Sequence, residues 1–295
     1  MQAKTIKAII QKKHNQLVES IKDDKVKSIV RNHSIITGGC ITSMLLNEKV
    51  NDFDYYFDSR ENALAVMTYF AKILGDKVNT NILVEDKEDR VYLRIKSSEQ
   101  AGEVEDDEPS NEEVQALENA GIKELVYEVL GAGDEKPHYE PIYATSNAIT
   151  LSGKVQLVAR FFGKPDEIHG NYDFVHCTCW WRSSDSHLEL PAQALEAILT
   201  KELTYVGSKY PICSLFRLRK FIQRGWHVNA GQILKIALQI KNLDLYNIDV
   251  LRDQLVGVDS VYFMKVIDYL TKRVNEDKDF KLTEGYLVEV INKIF

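Results

Sequence analysis

Apolar residues recur at three- and four-residue spacing from Ile6 through Ile9, Ile10, Leu17, Ile21, Val26 and Ile29 to Val30, which predicts helix over residues 2–31. "RNHS" breaks the pattern. "SIIT" then reads as a short strand ending at Gly38–Gly39, "CITSMLLNEK" as a short helix, and "NDFDYYFD" as a strand. "SRENALAVMTYFAKILG" has helical spacing, with Ser59 placed to cap its start and Gly75 to lie just past its end. Two strands follow, "TNILVE" and "RVYLRIKS", and the charged "DKEDR" between them suits a hairpin. Strand character returns in "IYATSNAITL" and "KVQLVARFF", joined by the turn "SGK", and again in "NYDFVHCTCWW". From Leu190 the pattern is helical, with candidates at 191–203, 211–225, 230–241, 259–275 and 282–294. The order of elements predicts an α+β fold. A mixed sheet with helices occupies residues 1–190, and a mostly helical domain occupies 191–295.

Composition changes this picture in one place. Residues 99–140 hold 14 acidic residues against Lys123 and Lys136, while the rest of the chain holds 30 acidic and 35 basic ones. The formal net charge of −7 therefore describes an acidic insertion and not the whole surface, and it does not exclude a nucleic-acid partner. "SEQAGEVEDDEPSNEE" is too polar to bury a core, and one or two short helices can follow it in "EEVQALENAGIKELVYEVLGAG". An acidic segment that serves only solubility is the plainer reading. No run of 18 apolar residues predicts a membrane span, and the charged N-terminus lacks the apolar stretch of a signal peptide. Four scattered cysteines, Cys40, Cys177, Cys179 and Cys213, suit a reduced, cytoplasmic protein.

The chemistry concentrates in "IITGGCITSMLLNEKVNDFDYYF". In a strand, residues i and i+2 share a face, so Asp52 and Asp54 point the same way with Cα atoms about 7 Å apart. Two such carboxylates suit Mg²⁺, which takes oxygen ligands and completes its shell with waters and phosphates. Gly38 and Gly39 would let the backbone approach a triphosphate closely. A lone Asp-x-Asp is more often a polar strand start; the glycine turn upstream is what raises it above that.

"GGCITSMLLNEKVNDFDYYF" resembles the signature of the nucleotidyltransferase superfamily of DNA polymerase beta, closest to its tRNA CCA-adding and poly(A) polymerase branch. That signature is an apolar strand, a glycine pair, then Asp-x-Asp between apolar residues. Thr42 and Ser43 stand where the branch carries Arg-Asp, and they become nucleotide contacts with Gly38 and Gly39. The resemblance implies a third carboxylate on a neighbouring strand, for which "NYDFVHCTCWW" offers Asp173. Asp52, Asp54 and Asp173 then hold Mg²⁺, or Mn²⁺ in its place, and Asp173 serves or positions the base for an attacking hydroxyl. The implied activity is transfer of a nucleoside monophosphate from an NTP such as ATP to an RNA 3′ end, with release of pyrophosphate. The alternatives are a protein or small-molecule acceptor, or a non-catalytic binding module that keeps the fold.

"YPICSLFRLRKFIQRGWHV" is the second signal. Pro211 suits a first helical turn, and Leu215, Leu218, Phe221 and Ile222 make the expected buried stripe. Arg217, Lys220 and Arg224 recur along another face as a phosphate clamp, and Lys209 and Tyr210 precede them as contacts to triphosphate and base. A solvated basic face is the competing reading. The row also resembles the arginine-bearing helix that follows the catalytic domain in that branch. Trp180, Trp181 and Trp226 are expected as packing residues before base-stacking ones. His176, Cys177 and Cys179 lack a second ligand cluster for zinc. "GKPDEIHG" lacks P-loop spacing, and Asp249, Asp253 and Asp259 are weaker carboxylate candidates.

Overall fold

In the computed structural model, residues 1–87, 90–96, 139–145, 147–255 and 283–294 are described. The acidic segment 99–140 lies almost wholly outside them, as do the helix expected at 259–275 and Asp259. The N-terminal periodicity resolves into two helices, α1 (Ala3–Ser20) and α2 (Asp24–His33), where one was expected. The break comes at Ile21–Asp23. Asp23 accepts a hydrogen bond from the Val26 amide at 2.8 Å and starts a new helix, while Ile21 stays buried in the turn.

Strand β1 (Ser34–Thr37) is followed by α3 (Gly39–Leu45) and β2 (Phe53–Phe57). Helix α4 (Arg60–Val78) is capped by Ser59, as its sequence indicates, but runs through Gly75 to Asn79 in the left-handed conformation. Gly75 is buried there because the chain doubles back over it: a Cβ would stand 2.6 Å from the Thr80 carbonyl. Strands β3 (Asn81–Lys87) and β4 (Arg90–Lys96) form a separate antiparallel hairpin. "IYATSNAITL" is not one strand but two, β5 (Pro141–Ala144) and β6 (Ala148–Leu151), which pair with each other. Strand β7 (Val155–Phe162) follows the "SGK" turn.

After the short helix α5 (Pro165–His169) comes the largest departure. "NYDFVHCTCWW" is not a continuous strand. Phe174 makes one isolated bridge with Tyr205, residues Val175–Cys177 form a 3₁₀ turn, and only Trp180–Arg182 become strand β8, hairpinned to β9 (His187–Glu189). The described helices after it are α6 (Ala192–Thr200), α7 (Pro211–Gln223), α8 (Ala230–Ile240), α9 (Ile248–Leu255) and α10 (Glu284–Ile294). Among the described residues, no helix is long and apolar enough to cross a membrane.

The main sheet has the order β5-β6-β7-β2-β1-β8-β9. Only β2 and β7 run parallel, so the sheet is mixed and the protein is α/β in composition. Its two faces differ. Phe53, Tyr55 and Phe57 enter the large core with α1, α4 and Trp181. Tyr56 lies on the other side in a smaller cluster with Ile35 and Ile168, under Tyr172 and Trp180. Alternation along β2 therefore puts Asp52 and Asp54 on the thinly covered face with Tyr56.

Candidate active site

Asp54 sits second in β2, opposite Thr37 of β1 and Gln156 of β7. Asp52 immediately precedes the strand. Both carboxylates reach the same surroundings: after burial, Asp54 and then Asp52 push the Cys40 thiol up. Asp52 is open to solvent at its rim, yet the protein packed round it raises its carboxyl above the usual range, with Lys220 and Lys154 pulling the other way.

Gly38 makes the approach to this pair possible. Its backbone, at φ 91° and ψ −152°, lies in a region reserved for glycine, and a Cβ would stand 2.9 Å from Asp54 Oδ2. Its amide is used locally, donating to the Cys177 carbonyl at 3.2 Å. Gly39, the first residue of α3, has open space where its Cβ would be. The two glycines should therefore behave oppositely. Gly38→Ala should cost on the order of 1–3 kcal/mol of stability and displace Asp54, while Gly39→Ala should leave the melting temperature unchanged. Thermal melts of both variants check this, and equal melting temperatures for the two would refute it.

Thr42 and Ser43 are buried inside α3. The Thr42 hydroxyl donates to the His176 carbonyl at 2.7 Å, which ties α3 to the 3₁₀ turn. Asp173 is on no strand. It lies just before the 3₁₀ turn with 8% exposure, and its Oδ2 accepts from Arg217 Nη1 at 2.8 Å. Among the described residues, no three His, Cys, Asp or Glu side chains converge as a metal-holding group. The structure thus sets Asp52 and Asp54 near Cys40, and Asp54 and Asp173 near Cys177, and pairs Asp173 with an arginine. The chemistry of the Asp52 and Asp54 pair fits Mg²⁺, which needs only one or two carboxylates beside water and phosphate.

Helix α7 lies over this region. Its buried side chains are Pro211, Ile212, Cys213, Ser214 and Leu218, so the apolar stripe expected along it is only partly inward: Leu215 and Ile222 are exposed, and Phe221 is half-buried. The basic row is partly solvated, with Lys220 exposed, and has acidic partners. Arg217 takes Asp173, and Lys220 acts on Asp52. Arg224, the cap residue, donates to Glu48 at 2.7 Å and lies 3.5 Å from the Ser43 hydroxyl. Burial would raise Glu48, but hydrogen bonds from Arg224 and Lys201 outweigh it and hold the carboxyl below its usual range.

Tyr210 is also engaged. Arg160 of β7 donates to its hydroxyl and stacks 4.5 Å from its ring centroid, and Arg160 is 7% exposed. Lys209 lines a cavity beside Tyr172. Trp181 and Trp226 are buried packing residues, and His176 lies 4.3 Å from the Trp226 ring, its pKa pushed down to about 4 by burial.

Sequence reasoning missed Lys154. Its backbone carbonyl accepts from the Phe53 amide at 2.7 Å, and its ammonium donates to the Val50 carbonyl at 3.0 Å, so it holds the approach to Asp52. The signal was present in "SGK", but it read as turn chemistry alone.

Residues 8–201 match the model of the Gabija anti-defense 2 family. A curated relative, Gabija anti-defense 2 of Bacillus phage SPbetaL7, is 22% identical over 289 residues, which cover 95% of this chain and 57% of that protein. The chain therefore spans little more than half of that relative's length. Similar solved structures include the Thermotoga maritima CCA-adding enzyme complexed with tRNA, at 12% identity and a TM-score of 0.40 over 86% of this chain and 53% of that one. Another is the Bacillus stearothermophilus CCA-adding enzyme in complex with CTP, at 14% identity and a TM-score of 0.38 over 86% of this chain and 49% of that one.

Proposed function

The chain belongs to the Gabija anti-defense 2 family, and from that premise we propose that it is a metal-dependent nucleotidyltransferase. It moves a nucleoside monophosphate from an NTP to a hydroxyl acceptor. The observation that carries this is the pair Asp52 and Asp54 at the start of β2, with Gly38 opening the backbone beside Asp54 and two lysines from separate elements acting on Asp52.

Each residue has a task that follows from where it stands. Asp52 and Asp54 would hold Mg²⁺. Bound there, the ion supplies charge neutralisation at the phosphates and lowers the pKa of an attacking hydroxyl. Lys154 and Lys220 meet the triphosphate from the β6–β7 turn and from α7. Tyr56 and Tyr172, hydrogen-bonded at 3.1 Å, close the floor beside Asp54. Asp173 positions the acceptor hydroxyl once Arg217 transfers its hydrogen bonds to phosphate oxygens.

The acceptor proposed from the residues is an RNA 3′ end. The name of the phage relative, Gabija anti-defense 2, favours a second reading, in which the acceptor belongs to a Gabija defence. Incubating the full chain with each α-labelled NTP, Mg²⁺, and either total RNA or a lysate carrying that defence separates them. Label in RNA supports the first, label in protein supports the second, and label that stays wholly in the NTP, with none in RNA, protein or small molecules, refutes nucleotidyl transfer. Lys154→Met and Lys220→Met should each raise the KM for NTP about ten-fold, since a charge-assisted hydrogen bond contributes roughly 1.5–3 kcal/mol. Steady-state kinetics check this, and unchanged KM values in both variants would remove the lysines from the site.

A further inference from the structure

Lys13 of α1 is half-buried on the core side of the sheet, yet its contacts fall on the two backbone segments that carry Asp52 and Lys154. Its ammonium lies 4.8 Å from the centre of the Phe53 ring and 5.4 Å from that of Tyr139. Phe53 stands between the two aspartates in sequence, and alternation sends its ring into the core, away from the face of Asp54. The same ammonium donates to the Gly153 carbonyl in the β6–β7 turn.

That turn is a conformation that needs holding. Gly153 and Lys154 both have positive φ, 73° and 63°, and few residues with a side chain adopt what Lys154 adopts here. A Cβ on Gly153 would stand 2.9 Å from Tyr139 Cε1, so the Tyr139 ring presses directly on the turn. The Tyr139 hydroxyl donates to Gln16 Oε1 at 3.3 Å, and Gln16 lies one helical turn beyond Lys13. On the other side, the Lys154 carbonyl accepts from the Phe53 amide at 2.7 Å, and the Lys154 ammonium donates to the Val50 carbonyl at 3.0 Å. Lys13 and Lys154 are close enough to act on each other's charge. Burial lowers the Lys13 pKa to about 8, and Lys154 pushes it the same way.

Resting on the nucleotidyl-transfer reading, we propose that Lys13 is a positioning residue for that site. By holding the Gly153 carbonyl and the Phe53 ring from the core side, it fixes the turn from which Lys154 meets Asp52 and the triphosphate. It touches no substrate itself. A charged group binds an anion best when its supporting residues hold it in place before the anion arrives. The competing role is a plain staple, in which Lys13 ties α1 to the sheet and affects stability alone.

The test is calorimetric titration of the full chain with inorganic tripolyphosphate and with ATP, GTP, CTP and UTP, each with Mg²⁺. It compares wild type, Lys13→Met, Lys13→Arg, Lys154→Met and the double variant Lys13→Met/Lys154→Met, with thermal melts to verify folding. Lys13→Met should weaken tripolyphosphate binding about three- to ten-fold, and should change it little once Lys154 is gone. Lys13→Arg should keep wild-type binding, because arginine offers both a donor to the carbonyl and a cation to the rings. Should Lys13→Met not fold, Lys13→Gln, one bond shorter and uncharged, replaces it in the same cycle. A lower melting temperature with unchanged binding, or equal losses of affinity with and without Lys154, overturns the positioning role. Wild type that binds, with Lys154→Met binding equally well, overturns that role and leaves nucleotidyl transfer to the aspartates. Wild type that binds none of these ligands overturns the positioning role and the nucleotidyl-transfer reading together.

Discussion

If Asp52 and Asp54 hold the metal as proposed, Asp52→Ala and Asp54→Ala should each lower nucleotide transfer by at least about a thousand-fold, because losing such a carboxylate removes on the order of 4 kcal/mol of transition-state stabilisation. The expected effect on stability has the opposite sign. Burial raises the Asp52 carboxyl above its usual range, so ionising it costs more in the folded chain than in the unfolded one. Its favourable contribution is complete below the unfolded pKa of about 3.9 and is lost as pH rises through the raised folded value. Asp52→Asn should therefore melt higher than wild type at neutral pH in a chelating buffer, and the difference should close in acid. Adding Mg²⁺ should raise the melting temperature of wild type and not that of the variant, since binding to the folded state alone stabilises it. Near-normal turnover in both alanine variants, or a wild-type melt indifferent to Mg²⁺, would remove these residues from metal binding.

The parts of this fold that were legible in the sequence are those written in neighbouring residues. Ser59 caps α4 through Asn62, three residues away, and the glycine turn and Asp-x-Asp sit within one short stretch. The parts that were not legible depend on distant partners. Gly75 looked like a helix end because glycine often is one, but Thr80 folds back onto it and the helix continues. Asp173 looked like a strand carboxylate because apolar residues follow it. Its backbone instead turns into the 3₁₀ segment, held by Val206, whose amide donates to the Asp173 carbonyl at 2.9 Å. The basic row of α7 showed its spacing but not its partners. Glu48 is 176 residues from Arg224, and no periodicity encodes that pairing. Leu215 and Ile222 fit a helical stripe by spacing, yet α7 is covered mainly toward its first turn, so the stripe's other members stay in solvent. Lys154 was hidden for a related reason: its role comes from the parallel register of β2 and β7, which sets it beside Asp52.

Arg217→Met and Asp173→Asn should separate what this ion pair does for the fold from what it does for the chemistry. Removing one partner of a fully buried pair costs about 3–5 kcal/mol. Asp173 is nearly buried, but the Arg217 side chain is 43% exposed, so solvent screening reduces the expected cost to roughly 1–2 kcal/mol. At about 2–4 °C per kcal/mol for a chain of this order of size, each variant should melt roughly 2–8 °C below wild type. The double variant should lose less than the sum of the two, by ~1 kcal/mol, because the second substitution removes an interaction already gone. Activity should not follow stability. If Asp173 positions the acceptor hydroxyl as proposed, Asp173→Asn should lower kcat by about a hundred-fold or more. Arg217→Met leaves that carboxylate in place and removes the proposed phosphate contact, so its effect should fall on the KM for NTP. Measured kcat and KM for both variants, alongside their melts, decide the matter. If the two variants lose stability and kcat in equal measure, Asp173 and Arg217 form a structural tie between the 3₁₀ turn and α7, and catalysis rests on Asp52 and Asp54 without a third carboxylate.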